Sequence, residues 1–247
     1  MLLSVRGLWK TYRRGSLLTG TEAPALRGVE LSVGRGARLV IAGVSGSGKS
    51  TLARCIAGWE AADRGVISIA TSACFQLIPQ NPGESLNPRL SAREIVEEPY
   101  RIRGRHAPER VSHWIAQTGL TPDFESRLPG QLSGGERARL AIARALAAAD
   151  GGVPALLIFD ESFSSLDLPL QERMFELLAR LQPSLDLSYM LVSHDVTLVA
   201  RFAREVAIMD DGRIVEQGLM QDVLARPRTH AARDLVSIFA GGAACAS

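Results

Sequence analysis

Three short stretches carry residue types and spacings that can do chemistry. The first is GVSGSGKS, Gly43 to Ser50, which fits the pattern G-x-x-x-x-G-K-[ST]. Small residues at Gly43, Ser45, Gly46, Ser47 and Gly48 let backbone N–H groups wrap closely around phosphates, and a helix starting near Lys49 adds positive potential at its N-terminus. Lys49 would reach the β- and γ-phosphates, and the Ser50 hydroxyl would bind Mg2+. A merely flexible Gly/Ser turn explains neither the lysine nor the Ser50–Thr51 pair. The second stretch, LLIFDES, puts Asp160 and Glu161 at the end of an apolar run that reads as a buried strand. Ligands of parallel sheets gather at the carboxyl ends of strands. Asp160 is therefore expected to hold Mg2+ through water, and Glu161 to polarise an attacking water. The third, QLSGGERARL, contains no nucleophile and no metal ligand.

That third stretch is partly explained by helix capping. Ser133 and Glu136 have the S-x-x-E spacing of a capping box. Gly134 and Gly135 are not explained by it, since glycine in a helix is about 1 kcal/mol less favourable than alanine. Bare glycines at a helix N-terminus let an anion approach the N–H groups directly. A second phosphate-facing surface, on a different part of the chain from the first, makes sense if it completes the site of another subunit.

The elements that must position these residues follow an α/β pattern. LLSV (2–5), VELSV (29–33) and ARLVIAG (37–43) read as strands, followed by a helix over 49–59, a turn at 63–65 and a strand at 66–70. Prolines and turn residues open a different region, and amphipathic helical stretches fill it, so residues 82–150 read as a helical insert. ALLIF (155–159) and YMLVS (189–193) are buried strands separated by a helix near 168–181. REVAIMDDGRIVEQG reads as a terminal hairpin turning at DDG, and the tail AGGAACAS as disordered.

The chain has 247 residues, 46% hydrophobic and 22% charged, with a formal net charge of +2. That is an ordinary globular composition, and so small a charge gives no support to bulk electrostatic binding of nucleic acid. The three cysteines, Cys55, Cys74 and Cys245, lack C-x-x-C spacing, which argues against a disulfide framework or a zinc site. Arg6 and Lys10 interrupt the start too early for a signal peptide, and no apolar run approaches the roughly 18–20 residues of a spanning helix. The expected location is the cytosol, or a membrane reached only through a partner.

With these motifs in this order, the chain resembles the ATP-binding-cassette (ABC) ATPases, and LSGGE (132–136) is similar to their signature motif. The resemblance covers essentially the whole chain. It implies an α/β fold with a RecA-like P-loop NTPase core, an antiparallel β subdomain and a helical signature subdomain. The expected single domain spans 1–247, with core and β subdomain over about 1–81 and 151–247 and the helical subdomain over about 82–150. In that family two cassettes meet head to tail and bury two ATP molecules, each signature closing over the γ-phosphate held by the opposite subunit. Ser133, Gly134 and Gly135 would therefore face a neighbour's nucleotide. Tyr12, in KTY, matches the aromatic that stacks on adenine, with Trp9 the weaker candidate. Gln80 matches the glutamine that senses Mg2+ and the attacking water, and Asp167, in SSLD, the loop that communicates across the dimer. His194, in LVSHD, matches the switch histidine that contacts the γ-phosphate. The chain departs from the pattern at Pro79 and Asn81, where phenylalanine and aspartate are usual, and at Ser162 and Phe163, where proline and threonine are common.

The reaction implied is hydrolysis of ATP with Mg2+, and the resemblance also suggests what it drives. PQNPGESLNPRLSAREIVEEP (79–99) is similar to the joint region of peptide and nickel importer ATPases, where family members receive the coupling helix of a membrane subunit. Peptide-importer ATPases often carry a longer, cysteine-bearing C-terminal extension, whereas this chain stops soon after ARPRTHAARDLVSIF. Its brevity leans towards the nickel or metal-chelate branch. The expected partners are permease subunits, a second cassette (the same chain or a paralogue) and a substrate-binding protein, at the cytoplasmic face of the inner membrane. The alternative is an ABC ATPase of a soluble complex such as a carbon–phosphorus lyase assembly. A P-loop kinase would leave LSGGE and His194 unexplained.

Overall fold

A computed structural model describes residues 1–14, 21–193 and 202–244. In chain order its elements are β1 (Leu3–Arg14), β2 (Thr21–Val33), β3 (Arg38–Ala42), α1 (Lys49–Ile56), β4 (Arg64–Ile69), β5 (Cys74–Ile78), α2 (Ala92–Ile102), α3 (Pro108–Gln117), α4 (Gly134–Ala149), β6 (Ala155–Asp160), α5 (Leu168–Leu181), β7 (Leu187–Val192), β8 (Glu205–Asp210), β9 (Arg213–Leu219), α6 (Met220–Ala225) and α7 (His230–Ala244). They form two compact units, Met1–Thr71 with Tyr189–Ser247, and Ser72–Ser188.

The first unit contains an antiparallel sheet in the order β2-β1-β4. Leu3, Val5 and Leu8 of β1 and Val29, Leu31 and Val33 of β2 are buried, while polar residues between them are not. That alternation is the signature of a sheet with one face on a core. β3 pairs in parallel with β7 on one side and β8 on the other. Leu39, Val40, Ile41 and Ala42 are fully buried, as a strand covered on both faces requires. β9 closes antiparallel on β8 through Asp211 (φ 44°) and Gly212 (φ 74°), two consecutive left-handed residues of the kind that a tight hairpin turn needs.

In the second unit β5 and β6 pair in parallel from Cys74↔Ala155 to Ile78↔Phe159. Three helices, α2, α3 and α4, lie within residues 82–150. One polar network joins them. Trp114 Nε1 donates to the Tyr100 hydroxyl at 2.8 Å, Tyr100 donates to Asp150 at 2.5 Å, and Arg110 donates to both Asp150 oxygens at 2.7 and 2.6 Å.

Several expected boundaries move. The strand expected at 2–5 continues to Arg14, and the one expected at 29–33 begins at Thr21. The long β1–β2 ladder continues through its polar stretches with register shifts after Val5, Leu8 and Lys10. α1 ends at Ile56 rather than near residue 59. Gly58, at φ 74°, turns the chain there, and the Trp59 N–H returns to the Arg54 carbonyl at 2.9 Å. β5 was not expected at all. The tail expected to be disordered is helical through Ala244, as the end of α7.

Candidate active site

In the first unit the buried strand β3 delivers the chain into Gly43–Gly48, and α1 starts at Lys49. Val44, Ser45 and Gly46 form an exposed crest, whereas Ser47 and Lys49 are buried. Two of the glycines are required by the chain itself. A Cβ on Gly43 would stand 2.1 Å from the Met209 carbonyl oxygen, and one on Gly48 2.3 Å from the Ala25 carbonyl oxygen. Both also have positive φ, 150° and 102°. Gly46 differs, because a Cβ there would meet open space and only its φ of 82° favours glycine.

Lys49 is 6% exposed, and its ammonium donates to the Gly43 and Val44 carbonyls at 2.8 Å each. The lysine thus braces the underside of the loop and puts a positive charge among the N–H groups of an α1 N-terminus that no side chain caps. Ser50 and Thr51 follow in the first turn of α1 and are partly buried.

Tyr12 reaches the same helix from β1. Its hydroxyl donates to the Glu60 carboxylate and lies 3.4 Å from the Thr51 hydroxyl. Burial, then the bond to Glu60, raises the phenol above its usual range. The ring is therefore anchored one residue from Ser50. Trp9 is placed differently, 40% exposed and with its indole packed on Gly28, where a Cβ would come within 3.3 Å of Nε1.

In the second unit two chain ends emerge side by side from β5 and β6. Gln80 follows β5 and Glu161 follows β6, and the Gln80 amide donates to Glu161 Oε2 at 3.0 Å. Asp160, the last residue of β6, is 1% exposed. Glu161 has φ 52°, a left-handed conformation that costs a non-glycine residue roughly 1–2 kcal/mol. Its carbonyl accepts from the Ser164 N–H at 3.1 Å and the Ser164 hydroxyl at 2.8 Å, bonds that hold this turn.

The residues beyond Glu161 account for one departure from the family pattern. Phe163 stacks between Phe159 and Phe175, with ring centroids 4.9 and 4.7 Å away, so its apolar ring is a packing element under the strand end. Asp167 caps α5, accepting the Leu170 N–H at 2.9 Å.

At the start of α4 the capping box is complete. Ser133 N–H donates to Glu136 at 2.7 Å and the Glu136 N–H to the Ser133 hydroxyl at 3.3 Å. Those backbone and side-chain bonds, backbone first, hold the Glu136 carboxyl below its usual range. The glycines are another matter. A Cβ on Gly134 would meet nothing within 4 Å, and one on Gly135 would make ordinary contacts with Leu166 at 3.5 Å and Ser165 at 3.6 Å. Neither has a positive φ. Nothing within their own unit requires these two residues to be glycine. The same contacts put the signature beside the loop that carries Asp167.

Thus Gly43, Ser45, Gly46, Ser47, Gly48, Lys49, Ser50, Thr51 and Tyr12 gather in the first unit. Gln80, Asp160 and Glu161 gather in the second, as do Ser133, Gly134, Gly135 and Asp167. His194 lies outside the described residues. Two residues of these clusters have no role in the sequence reading, Glu60 and Ser162. Glu60 leaves no sequence signal, being a lone acid, and Ser162 only the absence of the common proline.

Among the described residues no group of three or more His, Cys, Asp or Glu side chains could hold a metal ion. The oxygen donors are the Ser50 hydroxyl in the first unit and, in the second, the Gln80 amide and the buried Asp160 carboxylate, each of a type that magnesium accepts.

The chain matches the family model described as ABC transporter over residues 26–164. It is 38% identical to the probable D,D-dipeptide transport ATP-binding protein DdpF of Escherichia coli K12, over 85% of this chain and 68% of that protein. It is also 38% identical to the nickel import ATP-binding protein NikE of Rhodospirillum rubrum, over 87% of this chain and 83% of that protein. Among solved structures, the dimeric post-hydrolysis state of the ATP-binding cassette MJ0796, bound to ADP and Pi, is similar with a TM-score of 0.78. That likeness covers 89% of this chain and 99% of the other, at 26% identity.

Proposed function

From the premise that this chain belongs to the ABC transporter family, and so binds and hydrolyses ATP, we propose that it is the energy-supplying subunit of a membrane importer for peptides, nickel or metal chelates. The proposed organisation is one cassette with a helical subdomain over about 82–150, working as an ATP-sandwich dimer on permease subunits that a substrate-binding protein supplies. The location proposed is peripheral, at the cytoplasmic face of the inner membrane. Among the described residues no helix is long and apolar enough to cross a membrane.

The observation that carries the chemistry is the 3.0 Å bond between the Gln80 amide and the Glu161 carboxylate. A donor on one carboxylate oxygen orients the acid, which would polarise the water that attacks the γ-phosphoryl group. Lys49 and the loop N–H groups bind the β- and γ-phosphates and stabilise the charge that develops on the transferred group. Magnesium, when bound, would be held by Ser50 and, through water, by Asp160, with Gln80 sensing the ion and the attacking water, and would neutralise phosphate charge. Tyr12 would stack on adenine, and its hydroxyl bond to Glu60 fixes the ring beside α1. Ser133, Gly134 and Gly135 would receive the nucleotide of the second cassette, with Asp167 communicating across the dimer and His194 contacting the γ-phosphate.

The importer reading is supported by relatives named for dipeptide and nickel transport that align over most of this chain. Its test is purification of the tagged chain from its native cells in mild detergent, with mass spectrometry of what accompanies it. A multi-span membrane protein is the expected companion. Recovery of soluble enzymes alone would transfer the ATPase to a soluble complex of the carbon–phosphorus lyase kind.

A further inference from the structure

Ser162 follows Glu161 and is 0% exposed. Its hydroxyl donates to the Ile78 carbonyl at 2.5 Å, while the Asp160 carbonyl, the other acceptor near it, is 3.4 Å away. Ile78 is the last residue of β5 and stands two positions before Gln80. The β5–β6 ladder ends at Ile78↔Phe159. The Ser162 bond therefore ties the two chain ends together just where backbone pairing stops. On its far side Glu161 is held in its left-handed turn by Ser164.

We propose that Ser162 is a positioning residue for ATP hydrolysis. It holds the exit of β5 against the exit of β6, so that the Gln80 amide meets the Glu161 carboxylate at 3.0 Å. A buried hydroxyl without a partner is costly, so the bond selects the one arrangement in which it is made. Proline, common at this position in the family, has no donor for it. Here a side chain does what the backbone ladder no longer does, and the serine is a working part of this chain's site rather than a neutral departure.

This inference rests on the roles given above to Gln80 and Glu161. The test measures kcat and KM for ATP on the full-length chain for wild type, Ser162→Ala, Gln80→Ala, Glu161→Gln and the Ser162→Ala/Gln80→Ala double variant. Ser162→Ala is expected to lower kcat about tenfold, as a small misplacement of a catalytic group does, with KM within about twofold of wild type. On the Gln80→Ala background the same substitution should cost nothing further, because the glutamine it positions is gone. A wild-type kcat in Ser162→Ala, or an undiminished loss in the double variant, overturns the proposal. Ser162→Cys, nearly isosteric but a weaker donor, gives the same comparison if alanine does not fold: a reduced kcat supports the proposal and a wild-type kcat overturns it. If Gln80→Ala and Glu161→Gln both turn over normally, the reading of the site itself falls. If they are slowed and Ser162→Ala is not, only the role of Ser162 falls.

Discussion

Gly134→Ala separates what a residue does for its own chain from what it does for a neighbour. A Cβ at position 134 would meet no atom within 4 Å, and the backbone there is not left-handed. Alanine should therefore gain helix propensity at no steric cost, by up to about 1 kcal/mol relative to glycine. For a chain of 247 residues that corresponds to a rise in Tm of roughly 1–4 °C. Turnover should move the other way. If the bare N–H groups at the start of α4 receive the γ-phosphate of an opposing cassette, a methyl group stands where the phosphate must approach. Loss of one such donor costs about 10²–10³ in rate. A drop of about 10- to 100-fold allows for partial accommodation. Both quantities come from one preparation, thermal unfolding by circular dichroism and ATP hydrolysis by phosphate release. Gly48→Ala is the contrast, since its Cβ would stand 2.3 Å from a backbone oxygen and it should lose both stability and activity. A Gly134→Ala variant that melts several degrees lower would show that its own fold needs the glycine. One that hydrolyses ATP at the wild-type rate would show that nothing approaches this helix end. Either result refutes the reasoning.

Three further outcomes are expected. Glu161→Gln should slow turnover by about 10²-fold or more while ATP binding, measured by calorimetry, is retained; near-normal hydrolysis would remove Glu161 from its role. Lys49→Ala should weaken ATP binding itself, and an unchanged ATP affinity would count against the lysine as a phosphate ligand. Burial, then the bond to Asp150, pushes the Tyr100 phenol up to about 12 from 10.0. Below pH 10 the phenol is protonated in folded and unfolded chains alike, so its contribution is complete there. Between pH 10 and about 12 the unfolded chain loses this proton while the folded chain keeps it, so stability falls as pH rises. Urea midpoints for wild type and Tyr100→Phe over that window should diverge in slope, the variant falling less steeply, and equal slopes would refute the assignment.

Much of the site was legible because its requirements are local. A phosphate loop needs a buried strand, small residues and a helix start in immediate succession, and all three are written consecutively from Arg38 to Ile56. The same holds for Asp160 and Glu161 at the end of an apolar run, for the Ser133–Glu136 capping box and for the Asp211–Gly212 turn. β5 was missed because Cys74–Ile78 is only five residues long and partners β6, far along the chain. The end of α1 was missed because Gly58 can either continue a helix or stop one, and only its left-handed φ decides.

By itself the sequence determined the chemistry on offer: a phosphate loop, an acidic strand end and two glycines with no evident local task. Those follow from residue type and short spacing, which act over one turn or one strand. Only the tertiary structure decided that Gln80 meets Glu161, that Tyr12 is tethered through Glu60, that Ser162 binds Ile78, and that Gly134 has nothing of its own unit beside it. The first three join residues 48 to 84 positions apart, with Gln80 and Glu161 separated by 81. Their formation depends on strand pairing and side-chain direction, and neither is encoded within any short window of the chain.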